Sequence, residues 1–167
     1  MMAKSENRKN IILIGMPGAG KSTVGALLAR KLGRAFVDTD ELVRKLDGRP
    51  LRDIVAEDGP ERFLEIQNAA IMPMEFNNCI IATGGGVVKS DELMQYLKRA
   101  GTIVYLKEDP YTLEMRLEPG RRLARSDGQT FRLLFEERDP LYMKYADYVV
   151  NCAAKSPEKI ALEIINE

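Results

Sequence analysis

The chain alternates short unbroken apolar runs with stretches in which apolar residues recur every three or four positions. Ile11-Ile12-Leu13-Ile14 does not alternate, which marks a strand buried on both faces, so residues 10–15 read as the first strand. After it, Val24, Leu27, Leu28 and Leu32 follow helical spacing from Lys21 onward, and Gly33 supplies a C-terminal cap. Ala35-Phe36-Val37 is a second short strand that ends at Asp38-Thr39-Asp40. Between Glu41 and Phe76 the pattern predicts two or three helices, broken at Gly48-Arg49-Pro50 and Asp58-Gly59-Pro60. The last of these places Phe63, Ile66, Ala70 and Met74 on one stripe. Cys79-Ile80-Ile81-Ala82 is a third strand and runs straight into Thr83-Gly84-Gly85-Gly86. Residues 91–99 form a helix stopped at Gly101, 102–106 a strand and 110–117 a helix. An aperiodic charged segment covers 118–128. Residues 130–138 are helical, Asp139-Pro140 restarts a helix, 148–150 form the last strand, and Ser156-Pro157 opens a final helix ending near Asn166.

Five short apolar strands alternating with helices predict an α/β fold, a parallel sheet covered by helices on both faces. Without repeats or long linkers, residues 1–167 read as one domain, with 1–9 as a frayed tail. Ligands of such sheets gather at the C-terminal ends of the strands. Three segments directly follow predicted strands: 15–23, 38–40 and the triple glycine. All three are expected to open onto one cleft.

The first is Gly15-Met16-Pro17-Gly18-Ala19-Gly20-Lys21-Ser22-Thr23, a Gly-x4-Gly-Lys-Ser phosphate loop between a strand and a helix. Its glycines let the backbone close around phosphate, and the amides and helix dipole point at the anion. Gly18, Ala19, Gly20, Lys21, Ser22 and Thr23 are therefore the expected ATP-binding residues, with Lys21 reaching the β- and γ-phosphates and Ser22 holding Mg²⁺. A kinase also needs one carboxylate near the metal and one to orient or deprotonate the acceptor hydroxyl. Asp38 and Asp40, two apart at a strand end, are expected to emerge on one side, Asp38 toward the metal and Asp40 toward the acceptor; Asp40 can equally cap the next helix. Gly84, Gly85 and Gly86 are either a plain turn or a bare backbone wall for a small ligand. Arg116, Arg121, Arg122 and Arg125 lie in or beside the aperiodic segment, which reads either as a solvated loop or as a lid bringing positive charge onto the transferring group. Arg138 falls on an apolar face, where a substrate carboxylate or a structural acid, Glu136 or Asp139, would be its partner.

Composition narrows the chemistry. Lysine plus arginine and aspartate plus glutamate number 25 each, so no global basic field recruits nucleic acid or a membrane. With no histidine, any general base is a carboxylate, lysine or tyrosine. Cys79 and Cys152 sit in apolar stretches without metal spacing, as buried thiols of a reducing compartment do. No apolar run is long enough for a signal or a membrane span, and a cytoplasmic protein, acting as a monomer, is the expectation.

In combination, residues 15–23, Phe36-Val37-Asp38-Thr39-Asp40, Thr83-Gly84-Gly85-Gly86-Val87-Val88 and Arg138-Asp139-Pro140-Leu141-Tyr142 resemble the shikimate kinase family, within the nucleoside-monophosphate-kinase-like group. The resemblance spans about residues 10–165. It implies a three-layer α/β/α fold with strand order 2-3-1-4-5, MgATP as donor and the 3-hydroxyl of shikimate as acceptor, in aromatic amino-acid biosynthesis. Carried over by position, Asp40 and the glycine wall hold the acceptor hydroxyls, Arg138 its carboxylate, Arg121 is the lid arginine, and Lys21 and Ser22 keep their roles.

One site departs. The family's Gly-Glu-x-x-Phe-Arg-x-x-Glu, whose arginine is half of the carboxylate clamp, is here Gly59-Pro60-Glu61-Arg62-Phe63-Leu64-Glu65-Ile66-Gln67. Leu64 stands in place of the arginine and Gln67 in place of the acid that orients it, on one helix face. Arg62 points about 200° away from the vacated position. The lid is a few residues shorter, with Arg121-Arg122-Leu123-Ala124 in place of Arg-Pro-Leu-Leu. Losing half of a clamp costs on the order of 2–3 kcal/mol, roughly a hundredfold in affinity. Either Arg44, Arg49 or Arg52 moves in, or the acceptor is another small hydroxy acid or a hydroxy-amino acid such as homoserine. A nucleotide kinase of the same fold and a non-catalytic ATP-binding module are the remaining alternatives.

Overall fold

Of the four residues in the first strand, Ile11–Ile14 (β1), the last three are fully buried, because the strand lies in the middle of the sheet. The computed structural model describes residues 10–117 and 128–167. In chain order β1 is followed by helix α1 (Lys21–Leu32), β2 (Ala35–Asp38), α2 (Thr39–Asp47), α3 (Leu51–Ile71), β3 (Cys79–Ala82) and a 3₁₀ turn at Val87–Lys89. Then come α4 (Asp91–Ala100), β4 (Thr102–Lys107), α5 (Pro110–Arg116), α6 (Phe131–Tyr145), β5 (Tyr148–Asn151) and α7 (Pro157–Ile165). All strand pairs are parallel, in the order β2-β3-β1-β4-β5 that the resemblance implies. The main core packs β1, β3 and β4 against helices on both faces, while the outer strands β2 and β5 are partly exposed. A second apolar cluster, Val43, Ile54, Phe63, Ile66 and Ala70, fills the space between α2 and α3.

Both expected breaks between residues 41 and 76 are present. Gly48 ends α2 with φ 91°, and Gly59 (φ 86°, ψ 166°) kinks α3 just before Pro60. The stripe on the second half of α3 stops at Ala70 and Ile71, and Met74 lies beyond the helix end, largely exposed. The helix break expected at Asp139-Pro140 does not occur: α6 is continuous, with Pro140 inside it. Packing explains the difference. Phe131, Leu134, Arg138, Tyr142 and Tyr145 form one buried face, whereas Pro140 lies on the exposed side, where the carbonyl left without its N–H partner can meet water.

Asn10 pins the start of the sheet. It is buried, donates to the carbonyls of Phe76 (2.9 Å) and Ala100 (2.8 Å), and accepts from the Cys79 N–H (2.8 Å). One side chain thus joins the edges of β1, β3 and α4, away from the ligand end. Asn10→Ala leaves three backbone groups short of a partner and is expected to cost about 3 kcal/mol, or roughly 6–12 °C in melting temperature. A calorimetric or circular-dichroism melt checks this; a change below about 2 °C would show that water replaces the amide.

Candidate active site

The phosphate loop is shaped by close approach. Gly15 has φ +152°, and a Cβ there would stand 2.8 Å from the Leu106 carbonyl oxygen, so β4 presses directly on the loop. Gly18 (φ +85°) and Gly20 (φ +91°) carry the chain into α1 through left-handed conformations. Gly20 brings no side chain to cap α1, and the first turn holds no acid, so the helix N-terminus is left to an anion from outside the chain. Lys21 is 8 % exposed, and its Nζ donates to the carbonyls of Gly15 (2.5 Å) and Met16 (2.8 Å). The ammonium therefore arches over the loop that it would help to charge.

Beside this loop lies a cavity of ≈190 Å³ walled by residues 17–23, Asp38, Asp40 and residues 83–85. The three segments expected to share a cleft do so. Asp38, at the end of β2, uses both oxygens: Oδ2 accepts from Ser22 Oγ (3.0 Å) and Oδ1 from the Asp40 N–H (2.9 Å), which caps α2. The cap is thus Asp38, and Asp40 sits in the first turn of the helix rather than at a strand end. Relieved of capping, Asp40 faces the glycine wall. Ser22 Oγ and Asp38 Oδ2 are the hard oxygen donors that Mg²⁺ takes one or two at a time, with phosphate and water completing its shell. Among the described residues no group of three or more metal-ligating side chains gathers, so a closed protein cage is not part of this site.

The glycine wall stands at van der Waals contact with its neighbours. A Cβ on Gly84 would lie 3.0 Å from both Asp40 Oδ1 and Gln67 Oε1. On Gly85 it would lie 2.8 Å from Pro17 Cδ and 3.2 Å from Arg138 Nη1. Gly86 is buried behind the wall and opens the 3₁₀ turn. Arg138 is only 1 % exposed. Of the acids offered as its structural partners, Asp139 accepts from the Tyr105 hydroxyl (2.5 Å) and pairs with Lys107 (3.5 Å), while Glu136 pairs with Arg132 on the exposed face. Tyr142 donates to the Gly85 carbonyl (2.6 Å) and so holds the wall from behind. Burial pushes its pKa up to about 12, against the opposing pull of Arg138, which keeps the phenol a neutral donor.

A second cavity of ≈280 Å³ lies across residues 18–20 from the first and reaches Glu108, Arg116, Cys152 and Pro157. Arg116, expected among the lid arginines, instead ends α5 against the phosphate loop: Nη1 donates to the Gly18 carbonyl (3.2 Å), and Nη2 pairs with buried Glu108 (3.5 Å). Burial raises the Cys152 thiol to about 11, so it is an inert wall rather than a nucleophile. From the sequence, Pro157 reads only as a helix start and Glu108 is not singled out, although Glu108 directly follows β4 and so obeys the strand-end rule. Arg121, Arg122 and Arg125, and all of the expected lid at 118–128 except Gly128, lie outside the described residues. Arg44, Arg49 and Arg52 do not enter the cleft. Arg44 pairs with Glu41, Arg49 with Asp47, Glu57 and Asp58, and Arg52 with Asp53, all toward the surface.

A family model described as shikimate kinase matches residues 17–167. The chain is 39% identical over 164 residues to a shikimate kinase of Thermodesulfovibrio yellowstonii, covering 95% of this chain and 94% of that protein. It is 37% identical over 162 residues to one of Caldanaerobacter subterraneus subsp. tengcongensis, covering 94% of each. Among solved structures, shikimate kinase from Acinetobacter baumannii in complex with shikimate superimposes with a TM-score of 0.88 at 30% identity, over 98% of this chain and 95% of that one.

The contact between Gly85 and Pro17 gives a direct check of the cleft. Gly85→Ala forces a methyl into a 2.8 Å gap against the proline ring and close to Arg138. Overpacking of this kind costs about 1–3 kcal/mol. It is expected to lower kcat/KM at least about tenfold and to reduce the melting temperature, read by steady-state kinetics and a melt. Unaltered kinetics would show that loop and wall move independently.

Proposed function

The chain belongs to the shikimate kinase family and is an ATP-dependent kinase, and from that premise we propose that it transfers the γ-phosphoryl group of ATP to a hydroxyl of shikimate. The observation that carries this reading is the shared cavity, which has Ser22 and Asp38 on one side and Asp40 with Gly84 on the other. Donor phosphates rest on the amides of residues 18–23, with the Lys21 ammonium at their β- and γ-oxygens. Ser22 and Asp38 would hold Mg²⁺, which when bound neutralises charge on phosphate oxygens. The cavity beside Arg116 and Pro157 receives the nucleoside. Asp40 orients the acceptor hydroxyl and takes its proton, the wall at Gly84 and Gly85 lets the acceptor lie close to the backbone, and Arg138 faces its carboxylate. Gly86 supports this wall from behind. Arg121 supplies positive charge from the lid to the transferring group.

Residues 1–167 act as one kinase domain, as a monomer in the cytoplasm. Among the described residues no helix is long and apolar enough to cross a membrane. Family membership displaces the nucleotide-kinase and non-catalytic alternatives. A second reading, a changed acceptor such as homoserine, is favoured by one specific observation: Leu64 and Gln67 replace the clamp, and the nearby arginines are engaged at the surface.

Coupled ADP release, measured with shikimate, homoserine, other hydroxy acids and nucleoside monophosphates, tests both. Stimulation by shikimate is expected; stimulation by homoserine alone would replace it with the second reading, and no stimulation by any acceptor would remove the enzyme reading altogether. Asp40→Asn is expected to lower kcat by about 100- to 10,000-fold while ATP binding, followed by fluorescence titration, stays within about twofold. Normal turnover in that variant would take Asp40 out of the mechanism.

A further inference from the structure

Gln67 is an amide in a place where the surrounding residues call for an apolar side chain. It is 0 % exposed, on the face of α3 that also buries Phe63, Ile66, Ala70 and Ile71. Among the described residues neither its Nε2 nor its Oε1 meets a hydrogen-bond partner. An amide so placed makes the fold less stable than an apolar chain of the same shape would, because it has given up water without replacing it. Its neighbour is half satisfied: the Asn68 Nδ2 donates to Ser90 Oγ (2.8 Å) and ties α3 to the start of α4, while its Oδ1 meets no partner among the described residues.

The position of the amide supplies the missing reason. Gln67 Oε1 and Asp40 Oδ1 each lie 3.0 Å from the point where a Cβ of Gly84 would stand, and Gly84 and Asp40 both line the cavity beside the phosphate loop. Two polar groups thus face the space where a side chain of Gly84 would stand. Arg49, between α2 and α3, is held by Asp47, Glu57 and Asp58, and Arg62 of α3 by Glu65. Leu64, one turn earlier, is half-buried and packs into the apolar cluster between α2 and α3.

We propose that Gln67 is a specificity-determining contact of the acceptor site, hydrogen-bonding a second hydroxyl of the acceptor beside the one that Asp40 holds. The proposal rests on the reading of this cavity as the acceptor site. An amide offers a donor and an acceptor, and a hydroxyl is both, so the two are complementary whichever way the amide faces. Gln67 lies behind Gly84 rather than in the cavity lining, and its three side-chain torsions would turn the amide past Gly84 toward a bound acceptor. A site built to satisfy a hydroxyl rejects analogues that lack it, because the buried amide is then left unpaired. Gln67 therefore selects a polyhydroxyl acceptor.

Gln67→Met, close in length and shape, separates this from a structural role, with Gln67→Leu as a second variant. For each, the melting temperature without ATP or acceptor is measured, together with kcat and the KM values for ATP and shikimate. The proposal expects both variants to melt at or above wild type, the shikimate KM to rise about tenfold or more, and the ATP KM to stay within about twofold. A shikimate KM within about twofold of wild type overturns it. So does a fall in melting temperature in both variants, which would mean that the amide serves the fold. If wild-type protein does not use shikimate, the acceptor reading has failed instead. The melts then still decide the case for the amide, and the acceptor found by turnover replaces shikimate in the KM comparison.

Discussion

The contact of Gly85 with the Pro17 ring is the constraint on which the site depends. Donor and acceptor must be brought together with their reacting atoms a few ångströms apart, and misplacement by even one is costly. Here the phosphate loop and the glycine wall touch with no room for a methyl group between them. Tyr142 holds the wall through the Gly85 carbonyl, and Leu106 of β4 presses on the loop at Gly15. Both halves of the cleft are thus set by backbone packed at the ends of the three central strands, which are the most buried part of the sheet.

Polar burial follows the same geography. Among the described residues, Lys21, Thr39, Gln67, Thr83, Glu108 and Arg138 are buried polar or charged residues that lie around the two cavities or their walls; Asn10, at the opposite end of the strands, is the exception and serves the fold. Buried polar groups reduce stability unless they are paired. Their concentration at one end of the sheet is what a site built to receive phosphates, hydroxyls and a carboxylate requires. The apolar residues of β1, β3 and β4 supply the stability that such a site draws on.

Much of this was legible in the sequence because the signals are local. Unbroken apolar runs located the five strands to within one or two residues, and Gly-Lys-Ser after the first of them marked the loop that lines the first cavity. Local signals failed where tertiary packing decides. Pro140 reads as a break, but the buried face of α6 carries the helix through it. Asp40 reads as the cap of the next helix, and only the hydrogen bond from the Asp40 N–H to Asp38 shows that Asp38 fills that place. The clamp positions Leu64 and Gln67 stood out by comparison with a family pattern. Yet nothing in the chain's own periodicity shows that Gln67 points at Gly84 or that Arg116 folds back onto Gly18. Those contacts join residues far apart in sequence, and they exist only once the strand order is set.

In the proposed function, donor and acceptor occupy one cleft on opposite sides of the Gly85–Pro17 contact. A crystal structure with ADP, Mg²⁺ and shikimate tests it most directly. It is expected to show the phosphates on the amides of residues 18–22, with shikimate between Asp40, Gly84 and Arg138. Shikimate seated away from Asp40 and Gly84, for instance in the cavity beside Arg116, would show that the two do not share this cleft.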